Sequence, residues 1–170
     1  MLKKTLVTVL LFMGVLPEAN ASPVFEKSDL VWSTELELIS NKNIKISLSD
    51  FKGKVVYLDF WATWCIPCRI SFPELNKVYL EYHNLGFELI AINLDEEGSQ
   101  ISGFLEHHPV NYLIVKEPKN RLPEILGLKG MPSGYLFDQR GELIYVHEGF
   151  RKGDSKALVE RIKEIMGIKK

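Results

Sequence analysis

Val55-Val56-Tyr57-Leu58-Asp59-Phe60-Trp61-Ala62-Thr63-Trp64-Cys65-Ile66-Pro67-Cys68-Arg69 is the stretch from which the rest of the chain is read. Its first seven residues are nearly continuous apolar sequence, the mark of a strand buried on both faces of a sheet. The two cysteines that follow are the only two among 170 residues, and two residues separate them. That spacing brings both sulfurs within disulfide reach at one helix start. Without a third cysteine there is neither a disulfide framework nor a four-thiolate zinc site. The economical reading is a redox-active dithiol acting on thiols or disulfides of other molecules, with no metal and no cofactor.

Outward from this stretch, helices and strands alternate. Glu35–Ile39 and Ile44–Leu48 each alternate apolar and polar residues and read as a hairpin turning at Asn41-Lys42-Asn43. Asp50–Lys54 is a turn containing Gly53. A helix is predicted from near Cys65, with Leu75, Val78, Tyr79 and Tyr82 on its apolar stripe and Gly86 as its stop. Phe87–Leu94 is a second buried strand, Ser99–His107 a short helix ended by Pro109, and Leu113–Val115 a short strand. Arg121–Leu126 is a brief helix. Tyr135–Phe137 and Glu142–Val146 form a hairpin around Gln139-Arg140-Gly141, and Asp154–Met166 is a closing amphipathic helix. Phe51, Phe87, Phe104 and Phe137 read as core, and Tyr135 and Phe150 as residues bordering the site. The pattern is that of an α/β fold, a mixed sheet with helices on both faces.

Residues 1–21 read as a signal peptide outside the fold. Lys3 and Lys4 precede an apolar run, Thr5–Leu16, and Ala19-Asn20-Ala21 supplies small residues where a signal peptidase cuts. The run is short for a bilayer span, although an uncleaved membrane anchor is the alternative. Residues 22–170 are then one domain, large enough to bury a core. Removing Lys3, Lys4 and Glu18 leaves 19 basic and 21 acidic side chains, and no basic cluster points to nucleic acid. The expected location is a periplasm, where disulfides persist. The chain is read as a monomer.

Thiolate is the reactive form of cysteine, and the partial positive charge of a helix start favours it. Cys65 at that start is the predicted nucleophile. It forms a mixed disulfide with substrate, which Cys68, one turn further in, then resolves. Trp61 and Trp64 flank the site and are expected to limit water access. Asp59 interrupts a buried strand, where an unpaired carboxylate is costly. A carboxyl in such a place has a raised pKa and can deprotonate Cys68. The alternative is a carboxylate bonded to local backbone or facing solvent. Gly130-Met131-Pro132-Ser133-Gly134 reads as a tight turn entering a strand. The apolar residues Trp64, Ile66 and Met131 suit an extended or unfolded protein substrate, paired to the backbone of residues 131–132.

Phe60–Arg69 resembles the active-site signature of the thioredoxin superfamily. Pro73 then matches the proline that kinks the family's active-site helix. Met131-Pro132 matches its cis-proline loop, Asp59 its buried acid, and Gly149-Phe150 its glycine before the last helix. The resemblance implies a thioredoxin-like fold with a cis Met131–Pro132 bond. It also implies a Cys65–Cys68 redox disulfide and a substrate site that includes Trp64, Ile66, Pro67, Met131 and Pro132. The N-terminal hairpin and the helix–strand insertion at 99–115 are similar to the TlpA/ResA/CcmG-like group over about Val31–Ile168. That group implies extracytoplasmic protein-disulfide reduction with electrons from a membrane donor, and for some members cytochrome c maturation. The chain departs from it at Ser71, where some of these reductases carry glutamate, and at Met131 in place of threonine or valine.

Two other functions compete with the reductase. A disulfide-donating oxidase or isomerase is disfavoured because Ile66-Pro67 supplies no charge or donor to hold a thiolate in the reduced state. A copper(I) carrier would use Cys65, Cys68 and Met131 as soft ligands, but it gives Asp59 and Pro132 no purpose. His83, His107, His108 and His147 read as surface or satisfied side chains. An inert structural disulfide gains little from closing so short a loop.

Overall fold

The computed structural model describes residues 23–96 and 100–169; the predicted signal peptide lies outside them. Seven strands form one mixed sheet: β1 (Glu35–Leu38), β2 (Asn41–Ser47), β3 (Val55–Trp61), β4 (Phe87–Asn93), β5 (Leu113–Lys116), β6 (Ser133–Phe137) and β7 (Leu143–Glu148). Their order is β2-β1-β5-β4-β3-β6-β7. The pairs β3–β4 and β4–β5 are parallel; the others are antiparallel. The insertion thus supplies β5, the strand that joins the N-terminal hairpin to the central sheet.

Helices α2 (Cys68–Tyr82) and α5 (Ser155–Met166) cover one face, with the short helix α3 (Ile101–His107) beside them. Helices α1 (Pro23–Trp32) and α4 (Leu122–Leu126) cover the other. Strand β3 feeds both faces. Val55, Tyr57 and Trp61 join Phe72, Leu75, Phe104, Leu158 and Ile162 in the first core, and Val56, Leu58 and Phe60 join the second. Each of these six β3 side chains is at most 1% exposed. Alternating strand residues face opposite sides, so the continuous apolar run is the signature of a strand covered twice.

Helix α1 carried no sequence prediction. Its Val31 and Trp32 are buried, and the Trp32 indole Nε1 donates to the Gly141 carbonyl at 2.9 Å, docking the helix on the β6–β7 turn. The first hairpin turns at Ile39-Ser40 rather than at Asn41-Lys42-Asn43. The register then slips between Glu37 and Leu38, from Lys45 to Asn41 as partner, so the polar triplet sits in a bulge and not in the turn. Tyr135 packs edge-on to Phe60 in the second core, on the face away from the cysteines, and does not border the site. Phe51 is only partly buried.

Gly134 faces Asp59 across β6–β3, and a Cβ there would collide with the ring and hydroxyl of Tyr57. Gly134→Ala is therefore expected to destabilise the protein by about 1–3 kcal/mol, the usual cost of overpacking. Tyr57→Leu should recover most of that loss in a urea titration of the double variant.

Candidate active site

Trp61 ends β3, and the chain turns through Ala62–Pro67 before α2 begins at Cys68, three residues later than predicted. The reason is local. The amides of Cys68, Arg69 and Ile70 bond the carbonyls of Cys65, Ile66 and Pro67, so the entry is a tightened turn, and Pro67 has no N–H to continue it backwards. Pro73 lies inside α2. Cys65 and Cys68 are joined by a disulfide with Cα atoms 5.3 Å apart. Cys65 is 5% exposed and Cys68 fully buried, so attack from outside reaches Cys65 first. No cluster of three or more His, Cys, Asp or Glu side chains suited to a metal occurs among the described residues.

The surroundings are apolar beneath and apolar above. Trp61, Phe72 and Phe104 form a ring cluster with centroid separations of 4.7–5.2 Å in the core that also holds both cysteines. Met131 packs on the same core, and the Met131–Pro132 bond is cis. Gly149, at φ 76°, donates its N–H to the Pro132 carbonyl at 2.8 Å and so ties the end of β7 to the proline loop. Trp64 and Ile66 are 66% and 71% exposed, so Trp64 borders the disulfide as open surface and does not shield it. Ile70, which drew no notice as sequence, is a further exposed apolar side chain in the first turn of α2.

Asp59 sits on β3 between Tyr57 and Trp61, and strand alternation turns its side chain toward the core that holds Cys68. It is 1% exposed and its Oδ2 has no hydrogen-bond partner, which removes the solvent-facing alternative. Burial raises its carboxyl from the ordinary range to about 8. Burial first, then the Asp59 charge, also raises the phenols of Tyr57 and Tyr112.

A clamp behind the cysteines was not legible in the sequence. The Thr63 amide donates to Asp95 Oδ2 and its hydroxyl to Oδ1, both at 2.9 Å. Asp95 is itself held by the Asn93 side chain at 2.7 Å, and its carbonyl accepts from Lys116 Nζ at 2.7 Å. The carboxylate thus fastens the turn that presents Cys65 to the end of β4, and the Asp95 main-chain carbonyl ties in Lys116 at the end of β5. The available signal was Asn93-Leu94-Asp95, polar residues closing an apolar strand.

Residues 17–162 match the Redoxin family. The chain belongs to that family. It is 32% identical over 121 residues to the thiol-disulfide oxidoreductase ResA of Bacillus thuringiensis subsp. konkukian, covering 71% of this chain and 69% of the relative. A Chlorobium tepidum protein assigned as a thiol:disulfide interchange protein, DsbE, superposes with a TM-score of 0.72 at 39% identity, covering 78% of this chain and 92% of that one. The thioredoxin domain of a Bacteroides vulgatus thiol-disulfide oxidoreductase gives a TM-score of 0.65 at 25% identity, covering 77% and 96%. The redoxin described here therefore has the thioredoxin-like fold and falls in the ResA- and DsbE-like group, as the sequence resemblance implied.

Two outcomes follow for stability. Asp95→Ala strips acceptors from Thr63 and Asn93 and is expected to cost about 1–3 kcal/mol, read by urea unfolding of the oxidised protein; Thr63→Val, which keeps the amide bond, should cost less. For Asp59, the folded-state value near 8 lies above the roughly 3.9 of an unfolded carboxyl, so the folded chain binds the extra proton. Its contribution is full below about pH 4 and is lost as pH rises through about 8, at up to about 1.4 kcal/mol per pH unit. Asp59→Asn should remove this slope, so that the variant gains on the native chain as pH rises.

Proposed function

We propose that this thiol–disulfide oxidoreductase reduces protein disulfides outside the cytoplasm, with Cys65 as nucleophile, Cys68 as resolving thiol and Asp59 as the base that serves Cys68. The observation that carries the reading is the Cys65–Cys68 disulfide at the entry of α2, Cys65 slightly exposed and Cys68 fully buried on the face that holds the Asp59 carboxyl.

In the reduced protein the entry of α2 favours a Cys65 thiolate. That thiolate bonds to one sulfur of the substrate disulfide, and the other substrate sulfur leaves with the electron pair and takes a proton from water. Cys68 gives its proton to Asp59 and its sulfur bonds to Cys65 Sγ. The bond from Cys65 to the substrate breaks, and the second substrate sulfur departs with the electron pair as a thiolate that water protonates. Substrate has gained two electrons and the protein holds the disulfide. A membrane-bound dithiol donor returns it to the reduced form.

Trp64, Ile66, Pro67 and Met131 offer an apolar landing surface suited to an unfolded or extended chain. Pairing to the proline loop falls first to Met131, because Pro132 has no N–H and its carbonyl already accepts from Gly149. Residues 1–21 act as an export signal, and the exported domain works as a monomer in the periplasm. Cysteines of apocytochrome c are the proposed physiological substrate, since they must be reduced before haem attachment. Ile66-Pro67 places no charged or donor side chain between the cysteines, which favours a reducing poise.

Cys65→Ala should abolish turnover, and Cys68→Ala should accumulate mixed disulfides visible by non-reducing electrophoresis. Asp59→Asn should slow resolution at neutral pH and leave the first attack intact. The decisive measurement is the reduction potential in a thiol redox buffer. A value near about −270 mV supports the reductase, and one near about −120 mV reverses the direction to disulfide donation.

A further inference from the structure

A part-open groove of about 850 Å³ lies at the C-terminal ends of the parallel strands β4 and β5, between helix α3 and the first hairpin. Ligand clefts commonly hold about 300–1,000 Å³. Leu94, Ile101 and Pro118 give the groove an apolar lining. Four acidic side chains also line it, Glu37, Asp95, Glu96 and Glu117, against two lysines, Lys42 and Lys116. Lys116 is committed to the Asp95 carbonyl, and the Asp95 carboxylate to Thr63 and Asn93. Glu37 meets Lys45 at 3.8 Å. Glu117 is 4% exposed; its Oε2 accepts from the Leu122 amide at 2.8 Å, and its Oε1 has no partner. Neither Glu117 nor the exposed Glu96 forms an ion pair among the described residues. An unpaired buried carboxyl oxygen is costly, and the chain itself supplies no donor for this one.

We infer that this groove is a second contact for the polypeptide substrate, and that it takes an extended segment carrying lysine or arginine a few residues from the cysteine being reduced. The inference rests on the reading of the protein as a protein-disulfide reductase. The spread of the acids selects the ligand. They line the groove without gathering, since no three His, Cys, Asp or Glu side chains form a metal-binding group among the described residues. Such a spread suits separate ammonium or guanidinium groups along a chain, whereas a divalent ion needs its oxygen ligands close around one point. The apolar lining accommodates the methylene stems of the same basic side chains. Position ties the groove to the chemistry. Asp95 lines it and holds both the amide and the hydroxyl of Thr63, two residues before Cys65. An extended chain advances at most about 3.3–3.6 Å per residue, so a segment bonded to Cys65 reaches the groove within about three to six residues. Trp64, Ile66 and Met131 do not line the groove. They receive the residues beside the substrate cysteine, and the groove adds a selection by charge that an apolar surface cannot make.

The test uses the full exported domain, reduced, and two synthetic peptides, each closed by a disulfide between its own two cysteines. They differ only in the stretches flanking the cysteines, lysine in one and glutamate in the other. Oxidation of the domain by each peptide is followed by Trp fluorescence over a range of peptide concentrations. The lysine peptide is expected to react roughly threefold to thirtyfold more efficiently, through a lower half-saturating concentration at a similar limiting rate, and to lose that advantage as salt rises. Glu96→Lys, on an exposed loop, should cancel or reverse the preference. Glu117→Gln, which keeps an acceptor for the Leu122 amide, should weaken it. Glu164→Lys on α5 makes the same change in net charge away from the groove and should retain it. Equal efficiency for the two peptides, a preference for glutamate, or a preference that Glu96→Lys leaves intact overturns the inference and leaves the reductase reading standing. If neither peptide is reduced although Cys65 still reduces dithiobis(nitrobenzoate), the reductase reading fails and the groove assignment with it.

Discussion

Strand β3 is covered by helices on both faces and paired on both edges, so its backbone has almost no freedom to shift. Every chemical feature of the molecule is referred to it. The strand delivers the chain to the turn that carries Cys65, and its neighbour β6 begins at the cis-proline loop. Its one acidic residue lies beneath the buried cysteine's core. A rigid, twice-buried strand holds a reacting constellation within the tolerances that catalysis needs, which a surface loop would not.

The same burial sets the electrostatics. Desolvation raises the Asp59 carboxyl to about 8, so it titrates near neutral pH and is not a permanent anion. The cost is a polar group with an oxygen that no protein donor satisfies, in a core otherwise made of aromatic and aliphatic side chains. Such groups cluster at functional sites, which supports the proposed role of Asp59 as a base. The exposed side of the site is built on the opposite principle. Trp64, Ile66 and Ile70 remain in water although each would gain from burial, which suits a surface completed only when a partner chain lies across it.

The turn between strand and helix is held from behind, by Asp95, and from the side, by Gly149 and the proline loop. The positive-φ backbone at Gly149 and the missing side chain at Gly134 do different work. One lets the chain turn so that its N–H meets Pro132, and the other leaves a gap that a tyrosine from the neighbouring strand fills.

Most of the strands, every helix but α1, and the dithiol were legible in local pattern. An unbroken apolar run means burial on two faces, three- and four-residue spacing means one buried helix stripe, and two cysteines with two residues between them can bond. These are short-range signals, set by backbone period and reach. Val55–Trp61 matches β3 residue for residue, and Asp59 stood out because it violates that period. What the period leaves open is which residue lies opposite another. Thr63 meets Asp95 across 32 positions, Trp32 meets Gly141 across 109, and Tyr57 fills Gly134. Tyr135 faced the wrong core in the sequence reading, and α1 was absent from it. Only the packed sheet decided these, because strand order and register bring together residues whose separation along the chain carries no local pattern.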